Sequence, residues 1–183
     1  MAKTAIMIAN GCEEIEALTA VDLLRRAGIG IDMVSITAQK NVKGSHGICF
    51  ETDLTIEEFD PDAYDGVILP GGMPGTKNLG ESAKVTETVR SFREQGKLTA
   101  AICAAPTVFG ACGILEGRKA ACYPGLEDKL TGADVKYDDV VKDGSVITSR
   151  GMGTAIPFAL ALIAYFLGED EAEAMAQKIV FSK

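Results

Sequence analysis

Residues 98–106, Leu-Thr-Ala-Ala-Ile-Cys-Ala-Ala-Pro, carry the clearest structural pattern in the chain. Residues 98–102 predict a buried strand, and residues 107–112 beyond the proline predict a helix. A cysteine between a buried strand and a helix, flanked by alanines, is typical of a nucleophile elbow, because the turn is too tight for larger neighbours. The dipole at a helix N-terminus also favours a thiolate, which lowers a thiol pKa. The alternative is that Cys103 is only a small buried apolar residue.

Short apolar runs alternate with helical patterns along the rest of the chain. The predicted strands are 5–9, 31–36, 66–69 and 98–102, a weaker one at 46–50, and a hairpin of 136–141 and 145–148 around Asp143-Gly144. The predicted helices are 13–27, 82–95, 107–112, 154–167 and 170–179. This alternation predicts an α/β fold with a doubly wound, mostly parallel sheet and helices on both faces, as a single domain over residues 1–183.

The strand ends are the first places to look for a site, because ligands bind outside the carboxyl ends of such strands. These ends are Asn10-Gly11, Gly71-Gly72 and Cys103. Glycines at positions 71 and 72 let backbone N–H groups approach a ligand closely, as an oxyanion hole requires. A plain tight turn explains the same glycines equally well. The stretch 71–75 is not a phosphate loop, because it lacks the Gly-Lys-Ser/Thr ending.

Glu16 is the candidate partner of Cys103. On a helix, residues 20, 23 and 27 form an apolar stripe with it, so the carboxylate is expected to be desolvated and its pKa raised toward neutrality. Such a group could hydrogen-bond a thiolate or exchange a proton with a substrate. The alternative is a solvated glutamate at the start of the helix, a description that better suits Glu13 and Glu14.

Composition excludes several classes of protein and partner. The net charge of −8 argues against nucleic acid or an anionic membrane surface as a partner, because both would repel the average surface of the protein. No apolar run approaches the roughly 18 residues of a membrane span. The first ten residues do not resemble a secretory signal, because polar residues interrupt them early. The sequence therefore predicts a cytoplasmic protein.

The cysteines and the single histidine limit the chemistry further. Five irregularly spaced cysteines without a C-x-x-C pair, and only His46 beside them, make a metal site unexpected and fit a reducing compartment. A Cys–His protease needs an imidazole beside the thiol, yet residue 104 is alanine. His46 is expected to be a surface residue, or to approach from a neighbouring subunit. A Cys–Glu pair is favoured, while Cys12 is expected to be accessible and Cys112 and Cys122 structural.

Four ordered motifs resemble the DJ-1/ThiJ/PfpI family. They are GCEEIEALTAVDLLRRAG at 11–28, YDGVILPGGMPGTKNL at 64–79, AAICAAPTVF at 100–109 and ITSRGMGTAIPFALALI at 147–163. The absence of a histidine after Cys103 resembles the DJ-1-like branch rather than the protease-like branch. The resemblance implies a flavodoxin-like fold and a homodimer. It also implies a Cys103 nucleophile with a protonated Glu16, and backbone N–H groups of Gly72 and Ala104 facing an oxyanion.

The resemblance also implies two functions that use the same residues. The first is a cofactor-independent glyoxalase or deglycase, acting on methylglyoxal-like carbonyls or early glycation adducts. The second is a redox sensor or stress chaperone, in which Cys103 is oxidised to a sulfinate. Tyr123 stands where some relatives carry a histidine near the thiol, and His46 stands where some carry an arginine near the dimer contact. Peptidase activity is a distant third hypothesis.

Overall fold

The computed structural model describes residues 2–182, so that Met1 and Lys183, the two ends of the predicted domain, lie outside the described residues. The elements in chain order are β1 (Lys3–Ile8), α1 (Glu14–Arg26), β2 (Gly30–Ser35), β3 (Asn41–Lys43), β4 (Cys49–Glu51), β5 (Leu54–Thr55), β6 (Gly66–Leu69), α2 (Gly75–Glu81), α3 (Ala83–Glu94), β7 (Leu98–Ile102), α4 (Pro106–Cys112), β8 (Lys119–Ala120), β9 (Asp134–Val135), β10 (Val140–Asp143), β11 (Val146–Ser149), α5 (Ala155–Leu167) and α6 (Glu169–Lys178).

Seven of these strands form one sheet in the order β10-β11-β7-β6-β1-β2-β5. Every neighbouring pair is parallel except the edge hairpin of β10 and β11. From β1 the chain moves outward through β2 on one side and then through β6 and β7 on the other. The order of connection therefore reverses between β1 and β6, and a crevice forms at such a switch point in doubly wound sheets.

Helices cover both faces of the sheet. One apolar core lies under α1, α5 and α6 and includes Leu24, Phe158 and Leu162. The other lies under α2, α3 and α4 and includes Phe92 and Phe109. Apart from Lys3 at the start of β1, every residue of the central strands β1, β6 and β7 is buried, as their apolar runs predict for strands covered on both sides. The predicted α/β fold with a mostly parallel, doubly wound sheet is thus confirmed.

Two predicted strands differ from the observed ones. The strand predicted at 46–50 begins only at Cys49, because residues 44–48 turn back toward α1 and the His46 N–H donates to Glu14. The first strand of the predicted hairpin begins at Val140 rather than Lys136. Residues 134–136 instead pair with residues 119–120, and the Lys136 N–H donates to the Ala120 carbonyl over 2.8 Å. Helix α2 and the strands β3, β5, β8 and β9 are not among the elements predicted from the sequence.

No helix within residues 2–182 has both the length and the apolar character needed to span a bilayer.

Candidate active site

Cys103 occupies a strained turn between β7 and α4. Its φ angle is 66°, in the left-handed region that non-glycine residues rarely adopt. Two long-range backbone bonds hold the turn: the Cys103 N–H donates to the Ser149 carbonyl over 3.0 Å, and the Tyr123 N–H donates to the Cys103 carbonyl over 2.7 Å. The neighbouring Ala104 and Ala105 are buried, where larger side chains would collide. The thiol itself is half-buried, as a nucleophile on such an elbow must be to meet a substrate.

Glu16 lies on the first turn of α1 and is only 1% exposed. Its Oε2 accepts a 2.9 Å hydrogen bond from the Gly71 N–H, across the switch point between β1 and β6. Within residues 2–182, its Oε1 has no hydrogen-bond partner of regular geometry, and the Cys103 thiol is the polar group beside it. The predicted burial of Glu16 is confirmed, and the structure places its carboxyl against the Cys103 thiol.

Burial controls the charge of this pair. It raises the pKa of Glu16 to about 7, although hydrogen bonding to Cys103 and to the Gly71 N–H opposes the shift. Burial and the adjacent Glu16 charge raise the pKa of the Cys103 thiol, while the Ala104 and Gly72 N–H groups act in the opposite direction. A charged Glu16 therefore disfavours a thiolate on Cys103, whereas the Cys103 thiol favours the carboxylate form of Glu16 as its hydrogen-bond partner. Protonation of Glu16 would remove its repulsion of a thiolate, and burial would remain as the larger cause of the raised thiol pKa.

The three backbone positions predicted around the thiol have different surroundings. The Gly71 N–H is engaged by Glu16, so this group is not free to bind a ligand. The N–H groups of Gly72 and Ala104 face the Cys103 sulfur, where they favour a negative charge. A Cβ on Gly71 would come within 2.6 Å of both the Cys103 Cβ and the Glu16 Oε2. Glycine is therefore required at position 71 for the thiol and the carboxyl to meet.

A cleft of about 410 Å³ opens over Cys103 and Glu16. Four of its lining residues are at least half exposed and are aliphatic, aromatic or thioether side chains: Ile15, Ile48, Tyr123 and Met152. Its charged lining consists of Glu13, Glu14 and Glu16, and no lysine or arginine from residues 2–182 contributes to it. The cleft is thus suited to a small ligand that is apolar and carries no negative charge.

His46 lines this same cleft, within one chain. Its side chain is 73% exposed, and its Nδ1 lies 3.1 Å from the Oε2 of Glu14. The Ser45 Oγ lies 3.1 Å from the same ring nitrogen and 3.4 Å from the same carboxylate oxygen. The expectation of a surface histidine is correct, and the imidazole lies beside the candidate site of its own chain.

The description of Glu14 as a solvated glutamate is wrong. Glu14 is 3% exposed, because its Oε1 accepts bonds from the N–H groups of His46 and Ile48. Burial opposes ionisation of this carboxyl, but the hydrogen bonds from His46, from Ile48 and from its own backbone outweigh that effect and lower its pKa. Its partners lie 32 and 34 residues away along the chain, so sequence pattern carried no signal for this burial.

Potential metal-ligand atoms of Glu13, Glu14 and His46 lie within 4.8 Å of one another. The carboxylate oxygens of Glu14 already accept hydrogen bonds from the turn at 45–48, and the Glu13 Oε2 accepts a 2.7 Å bond from the Glu16 N–H. The cluster is therefore a hydrogen-bonded network that caps α1 and holds the turn. The two Glu14 oxygens, the Glu13 Oε2 and the His46 Nδ1 are all engaged within the protein.

The remaining cysteines are free thiols outside the elbow. The expectation that Cys12 is accessible is wrong, because its side chain is fully buried and burial raises its pKa to about 12. Cys122 is buried as well, Cys112 is partly buried, and Cys49 is exposed on β4.

These features define a class of α/β proteins in which a cysteine on a strand-to-helix turn meets a buried carboxyl at the switch point of a parallel sheet. The chain belongs to the DJ-1/PfpI family, whose model matches residues 2–165. Over 183 residues it is 39% identical to Protein dj-1beta of Drosophila melanogaster, and the match covers 98% of each chain.

Two further comparisons bear on function. A Caenorhabditis elegans protein named glutathione-independent glyoxalase DJR-1.2 is 33% identical over 173 residues, which is 93% of this chain and 91% of that protein. The solved structure of oxidized Toxoplasma gondii DJ-1 superposes with a TM-score of 0.96 at 34% identity, covering 100% of both chains.

Proposed function

We propose that the protein is a cysteine-dependent glyoxalase that converts methylglyoxal-like 2-oxoaldehydes to 2-hydroxy acids without a bound cofactor. The observation that carries this proposal is the contact between the half-buried Cys103 thiol and the buried Glu16 carboxyl, whose pKa is raised to about 7. A carboxyl of that pKa can both accept and return a proton near neutrality. The glyoxalase name of the Caenorhabditis elegans relative supports the same activity.

The first half of the reaction is an internal proton transfer. The Cys103 thiolate attacks the aldehyde carbon, its electron pair forms a C–S bond, and the carbonyl oxygen takes the proton of Glu16 to give a hemithioacetal and a Glu16 carboxylate. Glu16 as carboxylate removes the proton from C1 and returns it to C2 through an enediol, which leaves a 2-hydroxyacyl thioester on Cys103. The Gly72 and Ala104 N–H groups beside the sulfur are suited to stabilise the developing oxyanion.

The side chains that line the cleft support a small, uncharged carbonyl compound as the substrate. Three glutamates line the cleft without a lysine or arginine from the described chain, so carboxylate-bearing aldehydes would be repelled. The same thiol and carboxyl would also act on early glycation adducts, which release such aldehydes reversibly. Deglycase activity would therefore use the same thiol and carboxyl as the glyoxalase reaction.

The test is lactate formation from methylglyoxal by protein freed of glutathione and metal ions. We expect turnover in the wild type and its loss, by at least about 100-fold, in Cys103→Ala and Glu16→Gln, since each removes a group that reacts with the substrate. Cys49→Ala is the matched control, because it removes an exposed thiol outside the cleft. Turnover that survives in Cys103→Ala would refute the mechanism.

A redox sensor is the second candidate function. The observation that favours it is the similarity to a Toxoplasma gondii DJ-1 structure described as oxidized. A sulfinate on Cys103 would be an anion beside a protonatable Glu16 and the N–H groups of Gly72 and Ala104. No lactate from the wild type, together with peroxide oxidation confined to Cys103 in intact-mass and peptide spectra, would favour this function.

The proposal includes the cellular compartment and the oligomeric state of the protein. Five free thiols fit a reducing, cytoplasmic compartment. A homodimer fits the family resemblance and the exposed Ile15 and Ile48 beside the cleft. Peptidase activity finds no support, because the imidazole of His46 is bonded to Glu14 rather than to the thiol.

A further inference from the structure

The proposed reaction needs a second proton acceptor. The thioester left on Cys103 must be hydrolysed, and water is a weak nucleophile unless a base takes its proton as it attacks. Glu16 is poorly placed for this step, because it is 1% exposed and its Oε2 is bonded to the Gly71 N–H. A base for water is expected at the open side of the cleft, where solvent enters.

His46 is one of three solvent-accessible titratable side chains from residues 2–182 that line the cleft beside the Cys103 thiol, with Glu13 and Tyr123. It lines the same cleft as Cys103, and its side chain is 73% exposed. A neutral imidazole has a ring nitrogen that can accept a proton from water and release it again. Exposure alone would make it an ordinary surface residue, but its ring is held in place by a buried partner.

That partner, Glu14, fixes the tautomer of the ring. Its carboxyl is 3% exposed, and hydrogen bonds from the turn at 45–48 favour its ionised form despite burial. An ionised carboxylate only accepts hydrogen bonds, so the Nδ1 of His46, 3.1 Å from the Glu14 Oε2, carries the hydrogen. The Nε2 of a neutral ring then has a free lone pair. The His46 backbone N–H also donates to Glu14 over 2.8 Å, so the residue is anchored at two points.

We propose that His46, positioned by Glu14, is the general base that activates water to hydrolyse the thioester on Cys103. The inference rests on the proposed glyoxalase function. The water oxygen bonds to the thioester carbon as His46 Nε2 takes the water proton. The C–S bond then breaks, its electron pair returns to the Cys103 sulfur, and His46 gives up its proton to the released thiolate or to solvent. The 2-hydroxy acid leaves, and no oxidant or reductant is consumed.

The charges facing His46 favour this role. Glu14 bonds to the ring, and Glu13 and Glu16 also line the cleft, so the imidazolium formed in the step is stabilised by negative charge. Glu16 and His46 differ in burial, and their roles in the reaction differ accordingly. The shielded Glu16 moves a proton between two carbons, and the exposed His46 handles water. A second copy of the chain seated on Ile15 and Ile48 would leave His46 in the cleft, because Glu14 of the same chain holds it.

The test separates formation of the thioester from its hydrolysis. Wild type, His46→Ala and Glu14→Gln are mixed with methylglyoxal, quenched in acid and analysed by intact mass and for lactate. In His46→Ala we expect a rapid burst of one methylglyoxal per chain, an adduct of that mass on Cys103, and a steady rate of lactate formation lowered by about 100-fold. Added imidazole should restore part of the steady rate, which it would not do after a purely structural loss.

Glu14→Gln tests the positioning residue. The amide keeps an oxygen that can accept from the turn at 45–48 but loses the negative charge. We expect the same burst and a smaller loss in the steady rate. A wild-type steady rate in His46→Ala, or loss of its burst, would overturn the role of His46 while leaving the glyoxalase activity of the wild type intact. A wild type that forms no lactate would overturn the proposed function and this inference together.

Discussion

Gly71 shows how one missing side chain brings the site together. Its N–H holds the Glu16 carboxyl, and an added Cβ would lie within 2.6 Å of both the Cys103 Cβ and the Glu16 Oε2. We expect Gly71→Ala to displace the carboxyl from the thiol and to lower kcat/KM by about 100-fold, since Glu16 would lose its place as the proton carrier. Steady-state kinetics with methylglyoxal measures this directly.

The matched control for Gly71→Ala is Gly80→Ala. A Cβ at Gly80, inside α2, would meet only the Val108 Cγ2 at 3.6 Å, an ordinary contact. Alanine within a helix is favoured over glycine by about 0.5–1 kcal/mol, so this variant should keep its activity and gain stability. Equal activity in both variants would show that the close packing at Gly71 does not position Glu16.

Glu16 should also make stability depend on pH. Because burial raises its pKa in the folded protein from 4.5 to about 7, the folded state binds this proton more tightly than the unfolded chain does. The stabilising contribution is complete below about 4.5 and is lost as the pH rises through about 7. The shift corresponds to roughly 3 kcal/mol.

Glu16→Gln resembles the protonated carboxyl and cannot ionise. We therefore expect the free energy of unfolding of the wild type to fall relative to Glu16→Gln between about pH 5 and pH 8, by on the order of 3 kcal/mol. Urea denaturation of both proteins across this range measures the difference. If the difference in free energy of unfolding between the two proteins stays constant across this pH range, folding does not raise the Glu16 pKa.

At the scale of elements, the neighbouring strands β7 and β11 each contain a buried threonine. We expect the loss of its hydroxyl to have different effects on stability in the two strands. The Thr148 Oγ1 in β11 accepts a 2.9 Å bond from the Ala121 N–H, next to the segment that places Tyr123 at the cleft. The Thr99 Oγ1 in β7 has no hydrogen-bond partner within residues 2–182, although its side chain is fully buried. The two strands pair in parallel with Thr148 opposite Ala101, so Thr99 and Thr148 lie on the same face of the sheet.

Valine keeps the shape of threonine and removes the hydroxyl. We expect Thr148→Val to lower the free energy of unfolding by about 1–3 kcal/mol, because the buried Ala121 N–H loses its acceptor. Thr99→Val should leave stability unchanged or raise it, because the hydroxyl is buried without a hydrogen bond. Midpoints of urea denaturation distinguish the two, and a comparable loss in both would contradict the assigned hydrogen bonding.

At the scale of the whole molecule, the sequence was enough to predict the sheet and the elbow. Continuous apolar runs such as 98–102 are long enough to indicate buried strands, and Cys103 between alanines indicates the turn. The apolar stripe below Glu16 similarly predicted its burial. These features could be predicted because each is encoded within one helix or strand and its immediate neighbours.

What could not be predicted depends on contacts between distant segments. The two-residue strands β5, β8 and β9 are too short to show a period. Helix α2 begins at a glycine and contains a second one, which weakens its helical pattern. Glu14 is buried only because the turn at 45–48 folds over it, and that turn is itself tied to the start of α1 by the Ser45 N–H, which donates to the Cys12 carbonyl.

The exposed apolar side chains at the mouth of the cleft bear on how the whole molecule assembles. Ile15 and Ile48 are 50% and 54% exposed, and both lie at the mouth of the cleft beside the exposed Met152 and Tyr123. Apolar side chains grouped in this way on a folded surface mark a ligand-binding groove or a contact with another protein. A second copy of this chain is the partner that the family resemblance implies, and a two-fold contact would use the same surface patch of both chains.

We therefore expect sedimentation velocity to give the mass of two chains for the wild type. Ile15→Glu and Ile48→Glu should each shift the protein toward the mass of one chain, because an uncompensated carboxylate would be buried in an apolar contact. Leu167→Glu, which places the same charge on an exposed leucine at the end of α5, should remain dimeric. A wild type that sediments as one chain would refute the dimer. Dimers in all three variants would place the contact on another surface and leave the apolar mouth of the cleft to the substrate.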